Sequence, residues 1–381
     1  MWGGAPLTNI RRMSPKCAAF LATATAGAFL FLAACGGGGD GAGGTPQQPA
    51  TQPQQSEPAI PPSEALAQYV AVDLHPSAYA FTNGWGIGDG EQAGQSDISN
   101  TRPGVIHALL WRGSASSVVD LHPNGFTTSV AQATSGGVQV GSGNAPGQGT
   151  HALKWRGSAG TVVDLNPPGF FLSLALSVAG DQIVGAGFVQ ADMYHALLWT
   201  NGGVVDLHST AFTVTFARGM DGSQQVGNGF IQQGGMGGIN HALLWSGTAA
   251  SVVDLTPAGF VGAIAYAVDG GQQVGDGFIN SALASHALLW RGSAQSVVDL
   301  HPSGFAESRA RGVAGGRQVG SGGFAGGGGH ALLWNGTADS VVDLHTFLPP
   351  GFVSSAANGI DASGNVIGTA DGHAILWVRQ R

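Results

Sequence analysis

Twelve histidines stand in the chain, and each belongs to one of two recurring strings. Seven open a His-Ala-Leu-Leu-Trp string or a close variant, at His107, His151, His195, His241, His286, His330 and His373. Five more (His75, His122, His208, His301 and His345) follow a Val-Asp-Leu string whose aspartates are Asp73, Asp120, Asp164, Asp206, Asp254, Asp299 and Asp343. Imidazole and carboxylate together can build metal centres or acid–base pairs. Spacing argues against a shared centre. If His-Ala-Leu-Leu-Trp is the third strand of a four-stranded unit, it lies roughly 10 Å outside the innermost strand, at about 4.8 Å per neighbour. Metal ligands must reach about 2 Å from one ion, so histidines of different units are not expected to converge. We expect no metal and no cofactor, and His and Asp satisfying turn and strand-end groups within their own unit.

Other residues bear on a site. The tryptophans Trp111, Trp155, Trp199, Trp245, Trp290, Trp334 and Trp377 keep one place in an alternating string, which predicts packing between units. Trp85 lies outside that register and is a candidate for ligand contact. The charge cluster Glu307, Arg309, Arg311 and Arg317 marks one unit as different from the rest. No nucleophile elbow, His-Glu-x-x-His, P-loop or cysteine cluster is present, so no catalytic residue is assigned. Asp361–Gly364 reads as a hairpin turn rather than a calcium loop, because further spaced oxygen ligands are missing.

The elements that must position these residues form a repeat. The His-Ala-Leu-Leu-Trp strings recur every 43 to 46 residues. Within a unit, His107, Leu109 and Trp111 share one face of a strand, and a Gly113-Ser114-Ala115 turn leads to the β-branched run Val118–Leu121. Ser129–Ala133 and Val138–Val140 supply two further strands across a Ser-Gly-Gly turn. Four short strands in about 44 residues predict an all-β, seven-bladed β-propeller. The region opens with Tyr69–Leu74, the last strand of a unit, and finishes with His373–Trp377, the strand before it. These fragments complement one another, which predicts that the termini close one blade and leave no exposed edge. An open β-solenoid is the competing architecture.

Length differences between units concentrate in 141–150, 185–194, 227–240, 275–285, 320–329 and 368–372, which should emerge on one face of the ring. Such a face is the usual place for a binding site. Phe188, Phe230, Met236 and Phe278 lie in or beside these segments and join Trp85 as candidate ligand contacts.

The N-terminal part reads differently. Arg11, Arg12 and Lys16 precede the apolar run Ala18–Leu32, which is shorter than the roughly 20 residues that span a bilayer. Leu32-Ala33-Ala34-Cys35 resembles a bacterial lipobox, implying a signal peptide over residues 1–34 (starting at Met1 or Met13) and lipid on Cys35. Gly36 after the cysteine implies the outer membrane by the same resemblance. Residues 35–68 are rich in Gly, Pro and Gln and read as a flexible tether, and residues 69–381 as the propeller. Removing Arg11, Arg12 and Lys16 reduces 14 basic residues to 11 against 22 acidic ones, a net charge of −11. Nothing there neutralises phosphates, so no nucleic-acid partner is expected.

The repeat resembles the HAF family of bacterial extracellular repeat proteins, named for a His-Ala-Phe string, a Gly-containing turn and an Asp-Leu pair. The resemblance runs from about Val70 to Val378, with Leu or Ile where the family has Phe. It implies an exported repeat protein and no known active residue. The resulting expectation is a lipid-anchored binding scaffold at the cell envelope, periplasmic or surface-exposed, for a protein or glycan partner. A hydrolase or lyase with its site at the propeller channel is the alternative.

Overall fold

The structure is a computed structural model that describes residues 69–98, 105–190, 193–233, 237–279 and 284–380. The apolar leader, Cys35, the tether and Met236 lie outside the described residues. The rest is a seven-bladed β-propeller of four-stranded antiparallel sheets. The inner strands are Phe81–Gly88, Thr128–Ser135, Leu172–Ala179, Val214–Met220, Gly262–Asp269, Glu307–Ala314 and Ser355–Ile360, for blades 1 to 7. In blades 1 to 6 the second, third and outer strands follow in chain order. Each inner strand packs beside those of its neighbours, and blade 7 beside blade 1, so the seven surround a central channel.

The termini close the ring as the complementary fragments require. Tyr69–Asp73 is the outer strand of blade 7 and pairs antiparallel with His373–Arg379, from Tyr69 opposite Arg379 to Asp73 opposite Ile375. The Tyr69 hydroxyl donates to the Gly364 carbonyl across the same blade.

Two sequence expectations need correction in detail. The outer strand of blade 1 is only Val119–Asp120, because Ala115–Ser117 winds into a 3-10 turn. Ser117 Oγ holds that turn by accepting from the Arg112 amide and donating to the Ser114 carbonyl. The length-variable segments are not plain loops either. In blade 4 the second strand Gln225–Gln233 stays paired with Gly237–Trp245 far beyond the body of the blade.

Glycine in the Val-Gly string is explained by a bulge. Each inner strand carries one extra residue against its second strand, for example between Ala217 and Gly219. The bulged strand bows toward its partner. A Cβ on Gly94, Gly141, Gly185, Gly227, Gly275, Gly320 or Gly368 would overlap the carbonyl oxygen of the inner strand. A second glycine (Gly143, Gly187, Gly229, Gly277 or Gly322) lies under the phenylalanine of the Gly-Phe or Ala-Phe pair.

The core lies between blades rather than within them. Trp155 of blade 2, for instance, packs with Ala108, Leu110 and Leu121 of blade 1. Six of the seven string tryptophans are fully buried, as inter-blade packing requires.

A candidate ligand site at the channel

The repeated histidines and aspartates form fastenings between consecutive blades. Each His-Ala-Leu-Leu-Trp imidazole places Nδ1 2.7–2.8 Å from a carboxylate oxygen of the Val-Asp-Leu aspartate in its own blade. The other oxygen of Asp120 accepts the His122 amide. The His122 ring stacks on His107 at 3.9 Å, and its Nδ1 meets Ser129 Oγ of blade 2 at 2.9 Å. Ser129 Oγ in turn accepts the Ala108 amide of blade 1. The pattern recurs with substitutions that preserve it. Blade 5 has Ala263 where the hydroxyl should stand, and Thr256 supplies it to the Ala242 amide instead of a second histidine.

These contacts set the ionisation of the network. Burial, then the neighbouring imidazole, lowers the pKa of His122, His208 and His301. For Asp120 burial works upward, but the hydrogen bonds from His107 and from the His122 amide outweigh it and lower the pKa.

The bulge is one place where the seven blades differ. The extra residue is Trp85, Gln132, Leu176, Arg218, Tyr266, Arg311 and Asn358 in blades 1 to 7. Each stands between small residues on a strand that edges the channel. Blades 4 to 6 gather charge there. The Arg218 guanidinium lies 5.5 Å from the Phe216 ring centroid and 5.6 Å from that of Tyr266. Arg311 approaches the same Tyr266 ring at 5.3 Å. Arg218 Nε donates to Asn228 Oδ1 at 2.7 Å. Asp276, wholly buried, faces Arg309 Nε at 3.5 Å and lies beside the Tyr266 hydroxyl. Burial raises its pKa to about 6 against the pull of Arg309 and Arg311. Burial also raises Tyr266 to about 12.

An aromatic row leads outward from this cluster. Phe216 stacks on Tyr194 at 5.0 Å, Tyr194 meets Phe188 at 5.2 Å, and Phe188 meets Phe171 at 6.4 Å. Phe171 is 64% exposed and marks the open end. The register puts this end on the face of the second-to-third-strand hairpins, since Leu172, next to Phe171, lies opposite Phe188 and Phe188 opposite Tyr194.

The sequence candidates divide accordingly. Trp85 sits at the bulge of blade 1, with Nε1 donating to Gln95 Oε1 at 3.3 Å, and edges the channel opposite blades 4 and 5. Phe188 belongs to the aromatic row. Phe230 is half-buried and covers Gly238 of its own hairpin. Phe278 is 3% exposed and so is part of the core rather than a surface contact. Arg309 and Arg311 reach the cluster, whereas Arg317 lies near Gly364 at the far end of its strand pair. Sequence reading missed Arg218, Tyr266 and Asp276. The available signal was a variable residue between small ones, as in Ala217-Arg218-Gly219 and Gly275-Asp276-Gly277.

Comparison with known proteins bears on the fold. No protein-family model matches the chain, and no curated protein does. Among solved structures it is similar to a puromycin-hydrolysing peptidase of Mycobacterium tuberculosis, with a TM-score of 0.54 and 13% identity over 83% of this chain. The chain spans 51% of that peptidase's length. It is also similar to the β-propeller domain of the Trilobed protease from Pyrococcus furiosus, with a TM-score of 0.53 and 9% identity over 78% of this chain and 94% of that one. That domain is described as having an open velcro topology, whereas Tyr69–Asp73 closes this ring. At such identities the likeness shows the fold, a seven-bladed propeller, and nothing of the chemistry.

Proposed function

We propose that the protein is an envelope-anchored propeller that binds its ligand at the channel mouth on the hairpin face. One observation carries this reading. On a scaffold that repeats its core and its His-Asp fastenings seven times, the bulge positions hold Trp, Gln, Leu, Arg, Tyr, Arg and Asn. Packing between blades needs no such variety, whereas a single asymmetric ligand does. Exposed Phe171, Val261 and Val353 beside the inner-strand entries give the same face apolar contact area. The anchor rests on the lipobox-like string ending at Cys35 and the Gly- and Pro-rich stretch behind it. It also fits the HAF-like repeat of exported proteins.

The hydrolase or lyase alternative draws on the same cluster, since Asp276 and Tyr266 are titratable groups beside arginine. Asp276 is wholly buried, and the sequence carries no nucleophile elbow or His-Glu-x-x-His string. Binding is therefore the better-supported reading.

The test uses fluorescently labelled full-length protein and envelope preparations. Arg311→Gln and Tyr194→Ala should each reduce capture several-fold while leaving the circular dichroism of the folded protein unchanged. Ser116→Ala, on the opposite face, should have no effect. Capture indifferent to both channel-side variants overturns the reading. Replacing 227–240 by the short 368–372 segment should also weaken capture, because surface hairpins can be shortened at little entropic cost. Cys35→Ser should release the protein from membranes and abolish acyl labelling; a serine variant that stays membrane-bound counts against the anchor.

A further inference from the structure

We propose that the cluster on blades 4 to 6 is a carboxylate-binding site for an acidic oligosaccharide, a chain of uronic-acid residues. The inference rests on the channel-mouth reading above and names its ligand class. Three arginines, Arg218, Arg309 and Arg311, meet in one segment of the channel of a protein whose net charge is −8. The facing anions are Asp276, set behind Arg309, and Glu307, whose Oε2 lies 3.4 Å from an Arg309 terminal nitrogen. Arg311 shares Asp276 with Arg309 at longer range. Its guanidinium touches the Tyr266 ring but makes no hydrogen bond or ion pair among the described residues. A guanidinium offers five N–H donors in a planar fork that matches a carboxylate.

Arg218 and Arg311 also flank one ring at 5.6 and 5.3 Å, so two like charges are held close in a partly enclosed space. Such an arrangement favours an added anion. Local positive charge within an acidic surface also selects where an anion settles.

The rest of the ligand is read from the aromatic row. Phe171, Phe188, Tyr194 and Phe216 follow one another at 5.0–6.4 Å. Tyr194 and Phe216 cover one another, so the row offers its open end, Phe171, to the flat C–H face of a pyranose, and Trp85 lies on the opposite side of the channel. Neutral Gln132 adds an amide on that side, while Asn358 Nδ2 is held by the Gly84 carbonyl and Gln95 is buried behind Trp85. Carboxylates alternating with sugar faces along one extended chain meet both features. An acidic peptide meets only the first.

Isothermal titration of the full-length protein with tetragalacturonate and tetraguluronate tests the proposal. At least one should bind ten times more tightly than cellotetraose, and more tightly than tetraglutamate. Arg311→Gln should weaken that binding at least tenfold, and Arg311→Lys should restore part of it. Tyr194→Ala should weaken oligouronide binding while the circular dichroism of the folded protein stays unchanged. Equal affinity for cellotetraose or tetraglutamate overturns the proposal, as does the absence of oligouronide binding by folded protein. If envelope capture still depends on Arg311 and Tyr194 in that case, the channel-mouth reading survives and only the ligand class falls.

Discussion

Asp276 is the side chain whose ionisation is most informative. Its carboxyl is wholly buried and titrates near 6 in the fold, against 3.8 for the unperturbed group. Between those values the unfolded chain has released the proton and the folded chain has kept it. Stability therefore falls as pH rises through this window, and the cost persists above 6. The histidines of the fastenings act oppositely. His122, His208 and His301 have lowered pKa values, so the unfolded state takes up protons first and acid destabilises the fold below about 6.5. The two effects separate by comparison of melting curves. Asp276→Asn should raise the melting temperature at pH 8 relative to the parent, and the advantage should shrink as pH falls from 7 to 5. A constant difference across that range would mean that Asp276 is ionised throughout. Neither Asp276 nor its partners stood out in the sequence, because a lone Asp between two glycines looks like a turn until the bulge aligns it with Arg309 of the next blade.

The bulged hairpin is the element that makes both the blade and the site. It bows the inner strand so that the extra residue edges the channel, and it forces glycine opposite. Gly227→Ala would drive a Cβ into the Phe216 carbonyl and should cost roughly 2–4 kcal/mol, since backbone must move. Gly160→Ala is the control: nothing lies near its Cβ, and the change should stay within about 0.5 kcal/mol. Equal denaturation midpoints for the two variants would refute the account of the Val-Gly string. The strands themselves were legible in the sequence, because the alternation of His-Ala-Leu-Leu-Trp and the β-branched Val-Val pair are local signals. The bulge was not. It depends on a one-residue mismatch between two strands, and no property of Arg218 or Tyr266 alone announces that mismatch. The 3-10 turn at Ala115–Ser117 was hidden for a related reason, since serine hydroxyls replace backbone partners that a strand would have used.

The whole ring was readable from the complementary ends, because a missing outer strand at one terminus and an unpaired third strand at the other have one economical solution. Deleting residues 373–381 removes the partner of Tyr69–Asp73 and the His373–Asp73 fastening. Such a chain should melt at least 10 °C lower or oligomerise through the open blade, whereas removing residues of equal number within 36–62 should change nothing. Light scattering and calorimetry decide between these outcomes. The same closure constrains the order of assembly. Six blades are continuous in sequence, and the fastening within blade 1 spans 13 residues, but the one between Asp73 and His373 spans 300. By loop-closure scaling the longer connection costs roughly 3 kcal/mol more to form from an extended chain. Once the other blades have stacked, the two ends already lie side by side and that cost has vanished. The seam at blade 7 should therefore knit last, and only if no earlier blade is missing or out of register. In pulse-labelled hydrogen exchange during refolding, the amides of Tyr69–Asp73 should gain protection after those of blades 2 to 5, so that the final strand acts as a proofreading step on the ring.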